Sequence, residues 1–242
     1  MSDEWDAENF FKLHADLPRE GPGETADVAW AAEVAGLNPD ARILDAASGP
    51  GGDTGALLRA APQGHVTAVD LHGGFIAEAS ARFGKNPRVT LVTGDMTAQP
   101  GPFDFIWCAG AVYFLGIEAA LTAWRKTLAQ GGAIAFSEPC YFADTPSDGA
   151  RAFWEGEGID LATEDGVKAQ INAAGFDVLA TRRLSDIAWE SYYRPMEARI
   201  AALRPGASPT LLKVLDEGTR EIAAWRAHKH ETGYLLSVVR PR

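Results

Sequence analysis

The 242-residue chain has few of the residues that form covalent or metal cross-links, with 2 cysteines, 5 histidines and 3 methionines. Cys108 and Cys140 lie in or beside apolar runs, so we expect buried free thiols in a reducing compartment. No Cys/His spacing resembles a zinc site. The sequence therefore predicts no disulfide framework and no metal centre.

Basic residues are also scarce, because 22 Lys and Arg stand against 33 Asp and Glu, for a formal net charge of −11. Nucleic acids and anionic membranes bind basic surfaces, so this composition argues against both as partners. No apolar run approaches bilayer-spanning length, and the first residues are acidic, unlike a signal peptide. We expect a cytoplasmic protein with a small-molecule substrate, as a monomer or a homodimer.

The chain does contain short apolar segments that are each followed by an acid. The first of them ends at Asp45 and turns through small residues into a helix, within residues 43–54. Asp70 ends the second segment, and Asp95 follows the third. Because the carboxyl ends of adjacent parallel strands point into one crevice, we expect the three acids to line a single ligand site.

From residue 42 onward, apolar strands alternate with helices, which predicts a parallel sheet covered on both faces. The fold class is α/β, with a Rossmann-like, mostly parallel sheet of seven strands, an antiparallel last strand and a helical cap. The predicted strands are 42–46, 65–70, 89–93, 103–109, 132–138, 176–184 and 233–240. The predicted helices are 5–17, 24–36, 53–61, 73–83, 117–129, 163–174, 188–203 and 208–230.

We expect a single domain over 1–242. Its predicted parts are an amino-terminal helical lid segment (1–36), a core (42–184), a helical cap insert (185–232) and the last strand (233–242).

The first loop distinguishes two classes of cofactor. Dinucleotide sites bring a glycine-rich backbone close to a pyrophosphate. Here Asp45 stands directly before the loop, where it would repel a pyrophosphate and attract a cationic group. A nicotinamide-dependent oxidoreductase remains an alternative, although dinucleotide binding does not require an acid at the position of Asp95.

The loop and its acids resemble the class I S-adenosylmethionine-dependent methyltransferases, which have an acid-x-Gly-x-Gly-x-Gly loop and acids after the second and third strands. This resemblance implies S-adenosylmethionine as cofactor, with Asp45 near its ammonium, Asp70 on the ribose hydroxyls and Asp95 at the adenine. It places the following further residues at the cofactor: Arg19, Gly23, Ala47, Gly49, Gly51, Leu71, Met96, Cys108 and Gly110. Ala47 stands where the first glycine is usual.

A closer resemblance, over nearly the whole chain, is to an uncharacterised bacterial subfamily of small-molecule methyltransferases. Residues 17–23 are similar to its LxRQGPG loop, residues 107–113 to its WSEGAIY segment and residues 189–195 to its WxxxYxxP segment. Ser137-Glu138-Pro139 and Phe153-Trp154 are similar to its SEA and FW, whereas Ala109 replaces a common glutamate. The resemblance implies methyl transfer to a small molecule by in-line displacement, and a non-catalytic S-adenosylmethionine-binding protein is the second alternative.

Glu138 and Tyr113 are the candidate catalytic residues. Glu138 ends the predicted fifth strand on the ligand side, and Tyr113 follows the fourth strand near the expected methyl position. The candidate substrate-binding residues are aromatic: Tyr113, Tyr141, Trp154, Trp189, Tyr192 and Tyr193. Each of these residues also has a purely structural explanation. Glu138 could form a buried pair or cap a turn, and the aromatic side chains could simply pack in the core. His14 and His72 are further possible bases.

Overall fold

The computed structural model describes residues 6–156 and 161–242. The strands there are β1 (Arg42–Ala46), β2 (His65–Asp70), β3 (Val89–Thr93), β4 (Phe103–Ala109), β5 (Leu128–Tyr141), β6 (Phe176–Arg183) and β7 (Thr232–Pro241). The α-helices are α1 (Ala7–His14), α2 (Thr25–Ala35), α3 (Thr54–Ala60), α4 (Gly73–Phe83), α5 (Ile117–Arg125), α6 (Asp148–Gly156), α7 (Glu164–Ala173), α8 (Asp186–Leu203) and α9 (Pro209–His228). Short 3-10 turns cover Val112–Phe114 and Arg204–Gly206. Trp5, within the predicted helix 5–17, and the side chain of Phe153 lie outside the described residues.

All of these strands join one sheet in the order β3-β2-β1-β4-β5-β7-β6. The neighbours from β3 to β5 are parallel, whereas β7 runs antiparallel to both β5 and β6. This confirms the predicted α/β fold with an antiparallel last strand. The strand order reverses between β1 and β4, and the crevice at such a reversal is where open α/β sheets bind ligands.

Each face of the sheet buries its own apolar cluster. On one face, Val28 of α2 and Leu57 of α3 pack with the cap helices. On the other face, Trp124 of α5 and Ile171 of α7 pack against β4 and β5. Burial on both faces explains why the central strands are almost continuously apolar rather than alternating.

Helices also stand outside the two layers. The α8–α9 pair is inserted between β6 and β7, and α1 contacts both of its helices. Ser185 and Ser208 cap α8 and α9 by accepting hydrogen bonds from the backbone N–H groups of Ala188 and Leu211. The division of the chain into lid segment, core and cap insert remains a prediction.

The fifth strand is longer than predicted. Gly131 and Gly132 suggest a turn into a strand over 132–138, but β5 runs from Leu128, which pairs with Phe103, to Tyr141. Glu138 therefore does not end the strand: it lies inside β5, opposite Leu235 of β7. The pairing with β4 and β7 overrides the local glycine signal.

Two helices also differ from the prediction. The sequence analysis has no element at α6, although Ser147 supplies a start signal by accepting a hydrogen bond from Ala150 N at 3.3 Å. The predicted helix over 117–129 ends early, at Arg125, because residues from Leu128 onward belong to β5. In the described ranges, no helix has both the length and the apolar character needed to cross a bilayer.

Candidate active site

The loop after β1 turns sharply at the carboxyl edge of the sheet. Gly49 and Gly51 have φ values of 53° and 85°, in the left-handed region that favours glycine. Ala47 has a φ of 55°, which costs an L-residue about 1–2 kcal/mol. A side chain at Gly51 would meet the ring of Phe83 at 2.9 Å. The backbone at Gly51 is therefore closely packed against Phe83 of α4.

Asp70 connects the end of β2 to this loop. Its Oδ2 accepts a hydrogen bond from Gly49 N at 2.9 Å, and its Oδ1 accepts one from His72 N at 2.8 Å. A carboxylate oxygen can accept more than one hydrogen bond, so both oxygens retain capacity for a ligand's hydroxyl groups.

Asp45 is buried at the end of β1, with 2 % of its surface exposed. Thr54 at the start of α3 donates a hydrogen bond to its Oδ2 at 2.6 Å. Burial, opposed by the hydrogen bond from Thr54 and assisted by the nearby Asp53 and Asp70, raises the pKa of Asp45 to about 7. A carboxylate held in this way is stabilised by any cation that enters the crevice.

Arg19 lies over the loop from the amino-terminal side. Its guanidinium donates to the carbonyl oxygens of Gly21 and Gly23, each at 2.5 Å, and contacts Asp53 Oδ2 at 3.3 Å. Trp107 Nε1 also donates to Asp53 Oδ2, at 3.0 Å. A Cβ at Gly23 would lie 2.1 Å from Nη2 of Arg19, so any larger residue there would displace the guanidinium. The predicted contact of Arg19 with a cofactor carboxylate stays a prediction. In the structure, the guanidinium donates its hydrogen bonds to the carbonyl groups of the turn and to Asp53.

The residues predicted at the adenine flank the other end of the crevice. Leu71, next to Asp70, is 79 % exposed and offers a bare apolar surface. Asp95 Oδ1 accepts hydrogen bonds from the backbone N–H and the hydroxyl of Thr97, both at 2.7 Å, which lowers its pKa. Met96 is half-buried, and its carbonyl accepts a hydrogen bond from Trp124 Nε1. Asp95 is thus engaged within its own turn, whatever else it binds.

The end of β4 forms the other side of the site. Gly110 has a φ of 67°, and a Cβ there would meet Cε2 of Tyr234 at 2.8 Å. Tyr113 follows on the short 3-10 turn. Cys108 is buried, and its burial, with a smaller contribution from Glu138, raises the pKa of its thiol far above the usual value. Tyr234, from the last strand, therefore lies directly over the backbone that was predicted to hold the cofactor.

Glu138, the predicted catalytic acid, is buried in β5 with 9 % exposure. Its Oε2 has no hydrogen-bond partner among the described residues. Burial raises the pKa of Glu138 to about 8, so the side chain retains its proton at neutral pH. Near neutrality Glu138 can donate a hydrogen bond, but it can act as a base only at higher pH.

Four of the six predicted substrate aromatics, Trp154, Trp189, Tyr192 and Tyr193, gather in one buried cluster between the cap and β7. Trp189 stacks on Trp225 with centroids 4.9 Å apart and contacts the edge of Tyr234 at 5.0 Å. Trp154 Nε1 donates a hydrogen bond to Thr232 Oγ1 at 2.6 Å. The exposed fractions are 4 % for Trp154, 4 % for Trp189, 7 % for Tyr192 and 0 % for Tyr193, while Tyr141 is half-buried. Their role in substrate binding stays a prediction, and most of their surface serves core packing.

The sequence analysis did not identify Glu20 and Tyr234 as site residues. The Cγ of Glu20 lies 3.2 Å from where a Cβ at Gly49 would stand, so this acid covers the glycine-rich loop. Glu20 directly follows Arg19, a predicted cofactor residue, and this position in the 17–23 turn could have identified it as a site residue. Tyr234 carries no local signal, because only the antiparallel pairing of β7 brings it to the site. No group of three or more metal-binding side chains gathers within the described residues.

Comparison with known proteins agrees with this geometry. Residues 43–132, from β1 into β5, match the family described as "Methyltransferase domain". The fold is that of a methyltransferase from Geobacter sulfurreducens solved with S-adenosyl-L-homocysteine, with a TM-score of 0.81 and 21 % identity, over 97 % of this chain and 98 % of that one. A methyltransferase from Thiobacillus denitrificans, solved with the same compound, gives 0.81 and 18 % identity over 97 % and 98 % of the chains.

A sequence relative is the trans-aconitate 2-methyltransferase of Methylobacterium nodulans, 28 % identical over 140 residues, which cover 56 % of this chain and 50 % of that protein. This chain spans half or less of the length of the curated relatives that it matches. The fold is that of the structurally similar methyltransferases, and residues 43–132 match the methyltransferase-domain family. Both findings support the predicted family, the class I S-adenosylmethionine-dependent methyltransferases. The resemblance to one small-molecule subfamily stays a prediction.

Proposed function

We propose that this protein transfers a methyl group from S-adenosylmethionine to a small-molecule acceptor. The observation that carries the proposal is the acidic crevice at the strand reversal, where Asp45 and Asp70 flank a loop with three left-handed positions, at 47, 49 and 51. S-adenosylmethionine carries an ammonium and a sulfonium, and both positive groups are complementary to such a crevice.

The residues present fit this cofactor. Asp45 would pair with the ammonium of the cofactor. Burial has raised the pKa of this carboxyl, and a cation in the crevice would stabilise its charged form. Asp70 would accept the ribose hydroxyls, since each of its oxygens is only partly used. The exposed side chain of Leu71, with Met96, would cover the adenine. The glycine backbone at 49 and 51 would run along the methionyl part, and Gly110 and Cys108 would lie beyond it.

When bound, the cofactor supplies a methyl group on a sulfonium, which is a good leaving group. The chain has to align the acceptor with that methyl and exclude water. The cap helices α8 and α9 and the segment around Arg19 are suited to exclusion, because they lie over the carboxyl edge of the sheet. The acceptor is a small apolar or cationic molecule, since the side chains around the cleft are acidic or aromatic. A cytoplasmic location and a monomeric or homodimeric state remain predictions from composition.

The two alternatives differ in what they bind or release. A nicotinamide-dependent oxidoreductase would need a pyrophosphate beside Asp45, which disfavours it. A non-catalytic binding protein would take up S-adenosylmethionine and release nothing.

A co-product assay tests the proposed function. Purified protein is incubated with S-adenosylmethionine and a panel of small amines, phenols, thiols and carboxylates, and S-adenosylhomocysteine is quantified. We expect release that depends on at least one acceptor. Tight binding without release for any acceptor would favour the non-catalytic alternative.

We predict that cofactor binding is coupled to a proton on Asp45. The pKa of Asp45 is about 7 in the free protein, so below that pH the carboxyl must lose its proton before it can pair with the ammonium. Affinity should therefore fall about tenfold for each pH unit below about 7, with a proton released on binding. The same raised pKa means that the contribution of Asp45 to the stability of the free protein falls as pH rises from about 4 to 7.

Calorimetric titration in buffers of different ionisation enthalpy measures the released proton. Asp45→Asn, which cannot titrate, should bind weakly and without this pH dependence. An affinity that is flat across this range in the wild-type protein would contradict the role of Asp45.

A further inference from the structure

A histidine–glutamate pair lies above the glycine-rich loop. His14, the last residue of α1, is 6 % exposed, and its Nδ1 lies 2.6 Å from Oε2 of Glu20. Glu20 in turn covers Gly49, as described above. The pair thus joins the amino-terminal helix to the roof of the cofactor crevice.

Each residue of this pair has a second polar atom. Within the described residues, Oε1 of Glu20 is buried without a hydrogen-bond partner. The contact of His14 with Glu20 uses Nδ1, which leaves Nε2 as the other ring nitrogen. Burial raises the pKa of Glu20, and the hydrogen bond with His14 acts against that rise. An ionised Glu20 can only accept from Nδ1–H, and it would then hold the imidazole in the tautomer whose Nε2 carries the lone pair.

Tyr192 is the phenol beside this pair. It lies 6.4 Å from His14, measured between ring centroids. Burial raises the pKa of Tyr192, and the nearby Glu221, Glu20, Tyr234 and Tyr113 act in the same direction. Six elements therefore bring titratable groups to the neighbourhood of Tyr192: α1, the 17–23 turn, the 3-10 turn after β4, α8, α9 and β7.

We propose that His14, positioned by Glu20, is the general base of the methyl transfer, and that the acceptor is an oxygen or nitrogen nucleophile with a removable proton. This inference rests on the proposed function. His14 is the catalytic residue and Glu20 the positioning residue, since the carboxylate acts through the imidazole. The arrangement is that of a base fixed by a second group.

The step balances as follows in atoms and electrons. The acceptor atom forms a bond to the methyl carbon while the carbon–sulfur bond breaks, and that electron pair stays on sulfur as a neutral thioether. The proton of the acceptor passes to Nε2 of His14, and the resulting imidazolium is stabilised by Glu20. The imidazolium then releases the proton to solvent.

Two variants and one control test the proposal in the full-length protein. His14→Gln removes the base, and Glu20→Gln removes the charge that orients it. The control, His65→Gln, changes a histidine at the opposite end of β2, whose side chain hydrogen-bonds to Thr90. Three quantities are measured for each: affinity for S-adenosylmethionine by calorimetry, release of S-adenosylhomocysteine against pH, and the tautomer of His14 by nitrogen NMR on histidine-labelled protein. The acceptor probes are phenol and a primary amine, compared with a thioether and a tertiary amine that have no removable proton.

We expect His14→Gln to lower kcat by about 10²–10⁴ while cofactor affinity stays within about twofold, since general-base catalysis has this size. Glu20→Gln should shift the pH profile, because it removes the carboxylate 2.6 Å from the imidazole and leaves Tyr192 of α8 beside the ring. It should also remove the preference for the Nδ1–H tautomer. The control should match the wild-type protein in all three measurements.

Different results overturn different claims. Wild-type protein that releases no S-adenosylhomocysteine with any acceptor would overturn the proposed function itself. Wild-type turnover that survives in His14→Gln would overturn only the base. Turnover confined to the thioether and the tertiary amine would overturn the acceptor class, and a large loss of cofactor affinity in His14→Gln would make His14 a binding residue.

Discussion

Replacing Asp70 with alanine should weaken binding of S-adenosylmethionine by about 1–3 kcal/mol, which raises Kd about fivefold to 150-fold. The loss has two parts. The ribose hydroxyls would lose their acceptor, and the backbone N–H of Gly49 would lose the bond of 2.9 Å that holds the loop in place. Calorimetric titration of the variant measures the sum.

Asp104→Ala is the matched control for this prediction. Asp104 also lies in a central strand, but at its opposite end, where it pairs with the half-exposed Arg42 at 3.0 Å. Its removal should leave the cofactor Kd unchanged and cost at most about 1 kcal/mol of stability, as is usual for surface pairs. An Asp70 variant that binds as tightly as this control would remove Asp70 from the cofactor site.

Replacing Trp189 with alanine should lower the free energy of unfolding by about 3–5 kcal/mol. Trp189 is 4 % exposed and contacts the rings of Tyr193, Trp225 and Tyr234 at centroid distances of 5.5, 4.9 and 5.0 Å. Truncation leaves a cavity where the cap packs on β7, and the remaining rings cannot fill it without moving. Urea denaturation of the two proteins gives the difference.

The control lies two residues away on the same helix. Ile187 is 71 % exposed, so Ile187→Ala should change stability by about 0.5 kcal/mol or less. If Trp189→Ala is as stable as Ile187→Ala while turnover collapses, then Trp189 is a substrate residue, as the sequence analysis predicts, and its packing contributes little. Loss of stability with turnover preserved in the folded fraction would assign it to the core.

The sequence predicts the sheet and its acids because both depend on local pattern. Each of β1, β2 and β3 is a short apolar run, and the acids at Asp45, Asp70 and Asp95 fall at or just beyond the strand ends whatever the rest of the chain does. This explains why the boundaries of β1 and β2 agree with the prediction to the residue. The order of the strands in the sheet depends on long-range pairing and was not predicted.

The sequence does not predict features that depend on contacts between distant segments. Gly131 and Gly132 look like a turn, and only the pairing of Leu128 with Phe103 shows that the strand begins earlier. The spacing of Trp189 and Tyr193 on a helix is the same for a pocket wall and for a core, so their burial could not be derived from it. The approach of Glu20 to Gly49 likewise depends on how the 17–23 turn lies over the sheet.

The most direct test of this account is a calorimetric titration of the free protein with S-adenosylmethionine, S-adenosylhomocysteine and oxidised nicotinamide adenine dinucleotide. The acidic crevice predicts binding of the first two with a stoichiometry of about one, and no measurable binding of the dinucleotide, whose pyrophosphate would face Asp45. Binding of the dinucleotide in preference to S-adenosylmethionine, or no binding of either methionine-derived ligand, would contradict it.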